Sequence, residues 1–436
     1  MNKIIGIRRE DKNKWERRTP LIPDDVRELR EKFGIRTIVQ PSKLRIFTDD
    51  EYREAGAEIN ESLNDADVIF AVKEIPEEFY MEGKTYIFFS HTIKGQSYNM
   101  DMLQKMIEKK VNLIDYEKIV DENNRRLIFF GKYAGLAGMV ETLHAMGQKL
   151  KLQGFDTPLE RIKQAFEYNS VEEAKSEIAK IGEEINENGF PQELSPFVIG
   201  FAGYGNVSRG AQEIFDLLPH KTVSIDVLDE NYENFIADNY NFYKVVFKEE
   251  DMVSRVNGEF ELNDYYNNPD KYVSKFENYI PKLKVLVNCI YWTEKYPRLV
   301  TREYLENESV LHKYPNMRVI GDISCDINGS VEITHKVTMP DNPSFTYFAG
   351  EDRFEDGVKR GGVSVMAVDN LPCEFPKESS REFSKVLKVY VNNICQENFG
   401  KDFDSLNLPG PIKSALILHN GKFTPDYTYI KKYLQG

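Results

Sequence analysis

The segment Phe197-Val-Ile-Gly-Phe-Ala-Gly203-Tyr-Gly205-Asn-Val-Ser208-Arg-Gly210 runs from an apolar strand through a glycine turn into helical sequence. Few architectures accept that order. The tight turn needs Gly203, Gly205 lets the backbone approach a pyrophosphate, and the helix start supplies unpaired N–H groups with a positive dipole end. Ser208 fills the third position of the G-x-G-x-x-G pattern in place of glycine. A strand before it, a helix over Ala211–Leu218 and a further strand over Thr222–Ile225 supply the context that gives the motif meaning. Gly203, Tyr204, Gly205, Asn206 and Val207 are therefore expected to line a dinucleotide. Asp226 lies where an acidic residue would hold the ribose 2′-hydroxyl. If the strand stops two residues earlier, Ser224 takes that place and leaves room for a 2′-phosphate, which Lys221 would help neutralise. These residues leave NAD and NADP both open.

The rest of the chain alternates in the same way. Apolar runs at Lys3–Ile7, Arg36–Val39, Asp67–Val72, Thr85–Phe89 and Val111–Ile114 are separated by helical spacing at Pro23–Phe33, Thr48–Ala55 and Tyr98–Lys109. Such alternation predicts a mostly parallel sheet covered on both faces. A hairpin is expected over Lys118–Val120 and Arg126–Phe130, then a long helix from Ala134 to about Lys151. In Gln153–Gln192, Val171, Ala174, Ile178, Ile181 and Ile185 recur at steps of three and four, which predicts one amphipathic helix. A second alternation has strands at Phe197–Ala202, Thr222–Ile225, Val285–Ile290 and Arg318–Ile323. The polar Asn231–Tyr279 stretch is expected to form surface helices and loops, and a last helix spans Pro376 to about Cys395. The fold class expected is α/β, with two Rossmann-like domains whose mostly parallel sheets face a central cleft and are joined by long helices. The substrate domain would comprise 1–140 with 370–436, the connecting helices 141–195, and the dinucleotide domain 196–369.

Composition removes other classes. The chain has 436 residues and a net charge of -14, which opposes nucleic acid as a partner. No apolar run approaches the roughly 18 residues a membrane span requires. The N-terminal residues read as a strand, not a secretory signal. The four cysteines include no CxxC pair, so neither a disulfide framework nor a metal site is expected, and a reduced cytoplasmic setting follows.

Ligands of open parallel sheets bind beyond the carboxyl ends of the strands. Those ends deliver Arg8, Arg9 and Glu10; Lys73 and Glu74; Ser90, His91 and Lys94; Asp115 and Glu117. In the second domain Asn288, Cys289 and Asp322 occupy the same kind of position. If the domains face each other, the reactive end of the nucleotide meets Lys73 and His91. That suits hydride transfer to a charged, polar substrate.

Five blocks in the first domain then carry a resemblance: Trp15-Glu-Arg-Arg18-Thr-Pro, Val72-Lys73-Glu74-Ile-Pro76, Phe89-Ser90-His91-Thr-Ile-Lys94, Asp115-Tyr-Glu117-Lys and Phe130-Gly-Lys-Tyr-Ala-Gly135. With Gly203–Gln212, Val287–Trp292, Gly321–Ser324 and Asp369–Pro372, the chain resembles the lysine–ketoglutarate reductase half of the bifunctional aminoadipic semialdehyde synthases. It is more distantly similar to lysine-forming saccharopine dehydrogenase and to the alanine dehydrogenase and transhydrogenase superfamily. The resemblance implies a stand-alone reductase that joins lysine to 2-oxoglutarate and reduces the imine to saccharopine, with NADPH as cofactor and NAD possible. A separate saccharopine-oxidising enzyme would then be a partner. It also implies Lys73 and His91 as the acid/base pair. Arg18, Arg126 and Lys94 would hold carboxylates, Glu117 the α-amino group of lysine, and Phe130 a pocket wall. Glu74, beside Lys73, would belong to the substrate-binding residues, and Asp322 would lie near the nicotinamide and its ribose. The competing readings are NAD-dependent lysine-forming saccharopine dehydrogenase, an alanine-dehydrogenase-like enzyme, and a nucleotide sensor without catalysis.

Overall fold

The computed structural model describes residues 4–230, 238–307 and 317–434. Of the expected strands, Lys3 lies outside the described residues, as does 231–237 of the polar stretch. The chain divides into two compact units, Met1–Phe130 with Pro376–Gly436, and Gly131–Phe375. Residues 141–195, expected as a separate connector, belong to the second unit.

The first unit is built on an eight-stranded sheet. In spatial order its strands are Lys422–Phe423, Leu416–His419, Asn112–Asp115, Thr85–Phe88, Val68–Phe70, Ile4–Ile7, Arg36–Val39 and Glu58–Ile59. Pairing is parallel except where the two C-terminal strands join. The inner strands are buried along their length, because helices cover both faces of a parallel sheet and leave no solvent side for alternation. Helix Pro23–Phe33 starts on Pro at its first turn, with Asp24 and Asp25 at the positive dipole end, and stops at Gly34 with φ 67°. The C-terminal helix Pro376–Gln396 is tied to this part of the chain. Ser380 Oγ accepts from Thr19 N–H and Ser384 Oγ accepts from Ile22 N–H, both at 3.0 Å. The expected hairpin after Tyr116 is short: Val120 pairs with Arg126, flanked by Leu127 N–H to Ile119 O and Asp121 N–H to Arg125 O, both at 2.9 Å. Asp121 also takes the Asn123 and Arg125 N–H groups at 2.9 Å each, so its side chain caps the turn.

The second unit also carries an eight-stranded sheet, in the order Arg353–Asp356, Ser344–Phe348, Val363–Met366, Val319–Asp322, Val285–Asn288, Val198–Ala202, Phe242–Phe247 and His220–Thr222, together with a two-stranded antiparallel ribbon of Val253–Arg255 with Tyr272–Ser274. Three expectations are corrected. The strand foreseen at Thr222–Ile225 is His220–Thr222, and Ile225 begins a helix, Ile225–Glu230. Phe242–Phe247, foreseen within a surface stretch, is an inner strand between His220–Thr222 and Val198–Ala202. The polar His-Lys-Thr edge suits exposure, whereas Phe-Tyr-Lys-Val-Val-Phe can be covered on both faces. Finally, Gln153–Gln192 is not one helix. Gly154, with φ 91°, and Pro158 interrupt it. Only Val171–Asn188 is α-helical, capped by Ser170 Oγ, and it buries the five apolar residues that recur in the sequence.

The long helix Gly131–Gln153 lies against the helix Asn206–Phe215 that follows the glycine turn. Their backbones meet at two glycines. A Cβ on Gly135 would lie 1.9 Å from the Val207 carbonyl oxygen, and one on Gly210 would lie 2.2 Å from that of Lys132. Gly135→Ala gains up to ~1 kcal/mol of helix propensity, yet it is expected to cost about 1–3 kcal/mol net through overlap with rigid backbone. An unchanged midpoint in chemical denaturation would show that these helices separate without penalty. No helix of the described residues is long and apolar enough to cross a membrane. Nor do they contain a group of three or more His, Cys, Asp or Glu side chains able to hold a metal ion.

Candidate active site and nucleotide turn

Lys73 and His91 follow adjacent parallel strands, Val68–Phe70 and Thr85–Phe88, and so stand on one edge of one sheet. The backbone pairing continues past the strands through Phe89 N–H to Val72 O at 3.1 Å. Both side chains are half-buried. Glu10 fixes the backbone on the lysine side: its carboxylate oxygens accept Val72 N–H at 2.7 Å and Lys73 N–H at 2.9 Å. Complete burial, with the Glu16 charge adding to it, pushes the Glu10 carboxyl up to about 7 despite those bonds.

His91 Nδ1 is 2.6 Å from Glu74 Oε1, and Glu74 Oε2 is 2.9 Å from Lys12 Nζ. Burial alone would raise the Glu74 carboxyl, but the bonds and charges of His91 and Lys12 hold it far below the usual carboxylate range. With Nδ1 engaged, Nε2 is left to exchange a proton with a ligand. His91 adopts φ 47°, a left-handed backbone rare for a residue with a Cβ. Asp115 braces the same edge. It accepts Ser90 N–H at 3.1 Å, the Ser90 hydroxyl, and Glu117 N–H at 2.7 Å. Burial raises its carboxyl to about 6. The sequence places Glu10 and Asp115 at the strand ends without giving either a role, and the fold shows each holding backbone N–H groups of the cluster.

Arg18 is buried, 2% exposed, with its guanidinium on Glu16 at 2.7 Å (Nε to Oε1) and 2.5 Å (Nη2 to Oε2). Its Cζ sits 4.2 Å from the Phe130 ring centroid, and Phe130 stacks on Phe383 at 4.7 Å. Arg126 is exposed and forms an ion pair with Glu117. The two candidates thus engage each other. Lys94 is exposed, and its backbone N–H donates to Gln96 Oε1 at 3.1 Å.

In the second unit Gly203 has φ 94°, and its N–H donates to Phe247 O at 3.0 Å. Above Gly205 a Cβ would meet nothing within 4 Å. Helix Asn206–Phe215 starts there with no side-chain cap on its first turn. Open backbone and uncapped N–H groups fit a pyrophosphate. Tyr204, Gly205 and Asn206 are exposed and Val207 is half-buried. Ser208 is buried, and its Oγ accepts from Gln212 Nε2 at 2.9 Å.

Asn288 and Asp322 end neighbouring strands and bond to each other, Nδ2 to Oδ1 at 2.8 Å. Ser330 Oγ lies 2.8 Å from Asn288, and the Thr334 hydroxyl donates to Asp322 at 2.6 Å. Burial raises the Asp322 carboxyl to about 6 and pushes the Cys289 thiol well up. This network braces the strand ends.

Ser224 and Asp226 stand differently from the sequence reading. Both are exposed at the start of the edge helix Ile225–Glu230, where Ser224 Oγ accepts Val227 N–H at 3.4 Å. The strand beside the glycine turn is Phe242–Phe247, and the acid that follows it is Glu249. Glu249 accepts the Tyr204 hydroxyl at 3.1 Å and the Tyr266 hydroxyl at 2.6 Å. The apolar run before Lys248 was the signal that could have found it.

Two family models match in order: the alanine dehydrogenase/PNT N-terminal domain over residues 6–137 and the C-terminal domain over residues 249–426. The chain is 38% identical over 99% of its length to an alpha-aminoadipic semialdehyde synthase of Arabidopsis thaliana, covering 41% of that protein. It is 35% identical over 98% of its length to the mitochondrial alpha-aminoadipic semialdehyde synthase of Bos taurus, covering 48%. The chain thus spans less than half of these relatives. A lysine-forming, NAD(+) saccharopine dehydrogenase of Neurospora crassa is 26% identical, over 88% of this chain and 89% of that protein. Among solved structures, an L-alanine dehydrogenase aligns with TM-score 0.61 at 15% identity, covering 99% of each chain. A transhydrogenase of Sinorhizobium meliloti aligns with TM-score 0.55 at 14% identity, covering 98% of this chain and 100% of that one. With both domain models matched in sequence order and the fold shared, the chain belongs to the alanine dehydrogenase/PNT family.

Proposed function

We propose that this chain joins the ε-amine of lysine to the ketone of 2-oxoglutarate and reduces the resulting imine to saccharopine. The observation that carries the reading is the Glu74–His91 pair, 2.6 Å apart, on the sheet edge where Lys73 emerges from the adjacent strand. The likeness to aminoadipic semialdehyde synthases, 35% and 38% identical over nearly the whole chain, supports the choice of substrates.

The amine attacks only when neutral, so one group must take its proton, and the carbinolamine then loses water, so one must return a proton. Lys73 and His91 divide these tasks. Glu74 orients the imidazole through Nδ1, so proton exchange falls to Nε2, and Glu10 fixes the backbone from which Lys73 extends. Arg18, over the Phe130 ring, and Arg126 are the planar donors suited to carboxylates, with Lys94 as a further cation and Glu117 for the α-amino group. Gly203, Gly205 and the first turn of Asn206–Phe215 would hold the pyrophosphate of a nicotinamide dinucleotide, NADP by likeness to the bifunctional enzymes or NAD. When bound, that cofactor supplies the hydride. A saccharopine-oxidising enzyme would consume the product.

The test is loss of reduced-nicotinamide absorbance with lysine and 2-oxoglutarate, each omitted in turn. The reading requires both. Oxidation without lysine, sustained by ammonia and a small keto acid, would favour alanine-dehydrogenase-like chemistry. Dinucleotide binding without any turnover would favour the sensor.

A further inference from the structure

The reactive edge of the first unit is braced by a segment that lies 336 residues away in sequence. A 3₁₀-helical stretch, Pro425–Tyr433, follows the short strand Lys422–Phe423. It is firmly seated. Thr424 N–H donates to Ile417 O at 3.1 Å, and the Thr424 hydroxyl donates to Leu416 O at 2.6 Å. Tyr427 and Ile430 are buried, and the Tyr427 hydroxyl donates to Ser414 O at 2.7 Å. Tyr429 and Tyr433 reach instead to the turn that follows His91. The Tyr429 hydroxyl donates to Ile93 O at 2.7 Å. The Tyr433 ring lies so close to Gly95 that a Cβ there would come within 2.4 Å of its Cγ.

That turn, residues 92–95, closes with Gly95 N–H on Thr92 O at 3.0 Å. At its tip stands the peptide joining Ile93 to Lys94. A peptide is planar, with its C=O and N–H on opposite sides, so bonds to both stop it rotating. Here Tyr429 holds the Ile93 carbonyl, and Gln96 Oε1 accepts Lys94 N–H at 3.1 Å. His91 is held separately, for Asn99 Nδ2 donates to Ser90 O at 3.0 Å and to His91 O at 3.3 Å. The Lys94 side chain is exposed, and its flexible four-carbon stem carries any rotation of that peptide out to the ammonium group. We propose that Tyr429 is a positioning residue. By fixing the Ile93–Lys94 peptide it sets where the Lys94 cation meets a substrate carboxylate, while the His91 imidazole keeps its place without it.

The inference rests on the carboxylate-binding role that the proposed function gives Lys94, and one arm of its test needs no turnover. Tyr429→Phe removes the hydroxyl and keeps the ring. Amide exchange across residues 92–96 is expected to quicken about 3- to 10-fold, the worth of one hydrogen bond. Tyr427→Phe loses a bond of equal length that does not reach the turn, and it should leave that exchange unchanged. In steady state, Lys94→Ala should raise the KM of one carboxylate substrate. Tyr429→Phe should raise the same KM about 3- to 10-fold with kcat little changed. Because Tyr429 acts through Lys94, it should add nothing in the Lys94→Ala background. Unchanged exchange overturns the inference, as does a fall in kcat alone, a KM effect shared by Tyr427→Phe, or additive effects in the double variant. A Lys94→Ala variant with both KM values unaltered overturns it as well. If lysine and 2-oxoglutarate support no turnover in the unaltered protein, the proposed function fails, and the exchange arm still upholds or overturns the brace. If turnover needs both substrates but Tyr429→Phe matches the unaltered protein, the inference fails and the proposed function stands.

Discussion

His91→Asn is expected to lower turnover with lysine and 2-oxoglutarate by about 10²–10⁴-fold, the usual worth of a positioned acid/base. Dinucleotide affinity should stay unchanged. Asparagine is chosen because residue 91 has φ 47°, a conformation that asparagine adopts more readily than alanine. The amide can still bond to Glu74, so the loop should keep its course while proton exchange is lost. His91→Ala removes the ring as well and should fall at least as far. Steady-state rates combined with nucleotide titrations separate the two effects. Wild-type turnover in His91→Asn would remove the imidazole from the mechanism. Glu74 engages His91 through Oε1 and Lys12 through Oε2, so in the proposed mechanism it acts through the imidazole. Glu74→Gln should therefore cost less than the loss of His91 itself, which is the mark of a positioning residue.

The sequence was legible wherever the decisive physics is local. The strand–turn–helix at Gly203 needs a positive φ and an open approach, and only a glycine pattern writes that down. Val171, Ala174, Ile178, Ile181 and Ile185 share one helix face and are all buried. The strand ends carrying Lys73, His91 and Glu117 were foreseen because an apolar run must stop where polar residues begin. What the sequence hid was pairing at a distance. His220–Thr222 follows the nucleotide helix directly, yet the sheet places Phe242–Phe247 beside the glycine strand, so Ser224 and Asp226 follow the edge strand and Glu249 follows the glycine strand's neighbour. Charge told a similar story. Arg18 and Arg126 look alike as cations, but one is buried on Glu16 and the other is exposed on Glu117. Nothing in either residue's neighbours along the chain states which is which. Glu10 and Asp115 were legible as strand-end acids but their role was not, because an acid after a strand usually faces water, whereas here each turns inward to hold backbone N–H groups.

That difference in burial decides what the two arginine substitutions will do. From sequence, Arg18→Ala should mainly weaken keto-acid binding. In the fold it leaves Glu16, 1% exposed, with its guanidinium partner gone, and breaking a buried pair from one side costs about 3–5 kcal/mol. Loss of the contact with Phe130 adds to this. Glu16 also raises the Glu10 carboxyl, so removing the cation leaves two neighbouring buried acids whose joint ionisation the fold resists. Arg18→Ala is therefore expected to lower the denaturation midpoint sharply, which obscures any effect on 2-oxoglutarate. Arg18→Met combined with Glu16→Leu removes both charges and should recover most of the stability. If Arg18 holds a substrate carboxylate, this stable double variant still shows a raised KM for 2-oxoglutarate. A wild-type KM at recovered stability would make the Arg18–Glu16 pair purely structural. Arg126→Ala supplies the contrast. Its pair with Glu117 is half-exposed on the arginine side, so stability should change by no more than about 1 kcal/mol, and a change in keto-acid affinity would report directly on its binding role.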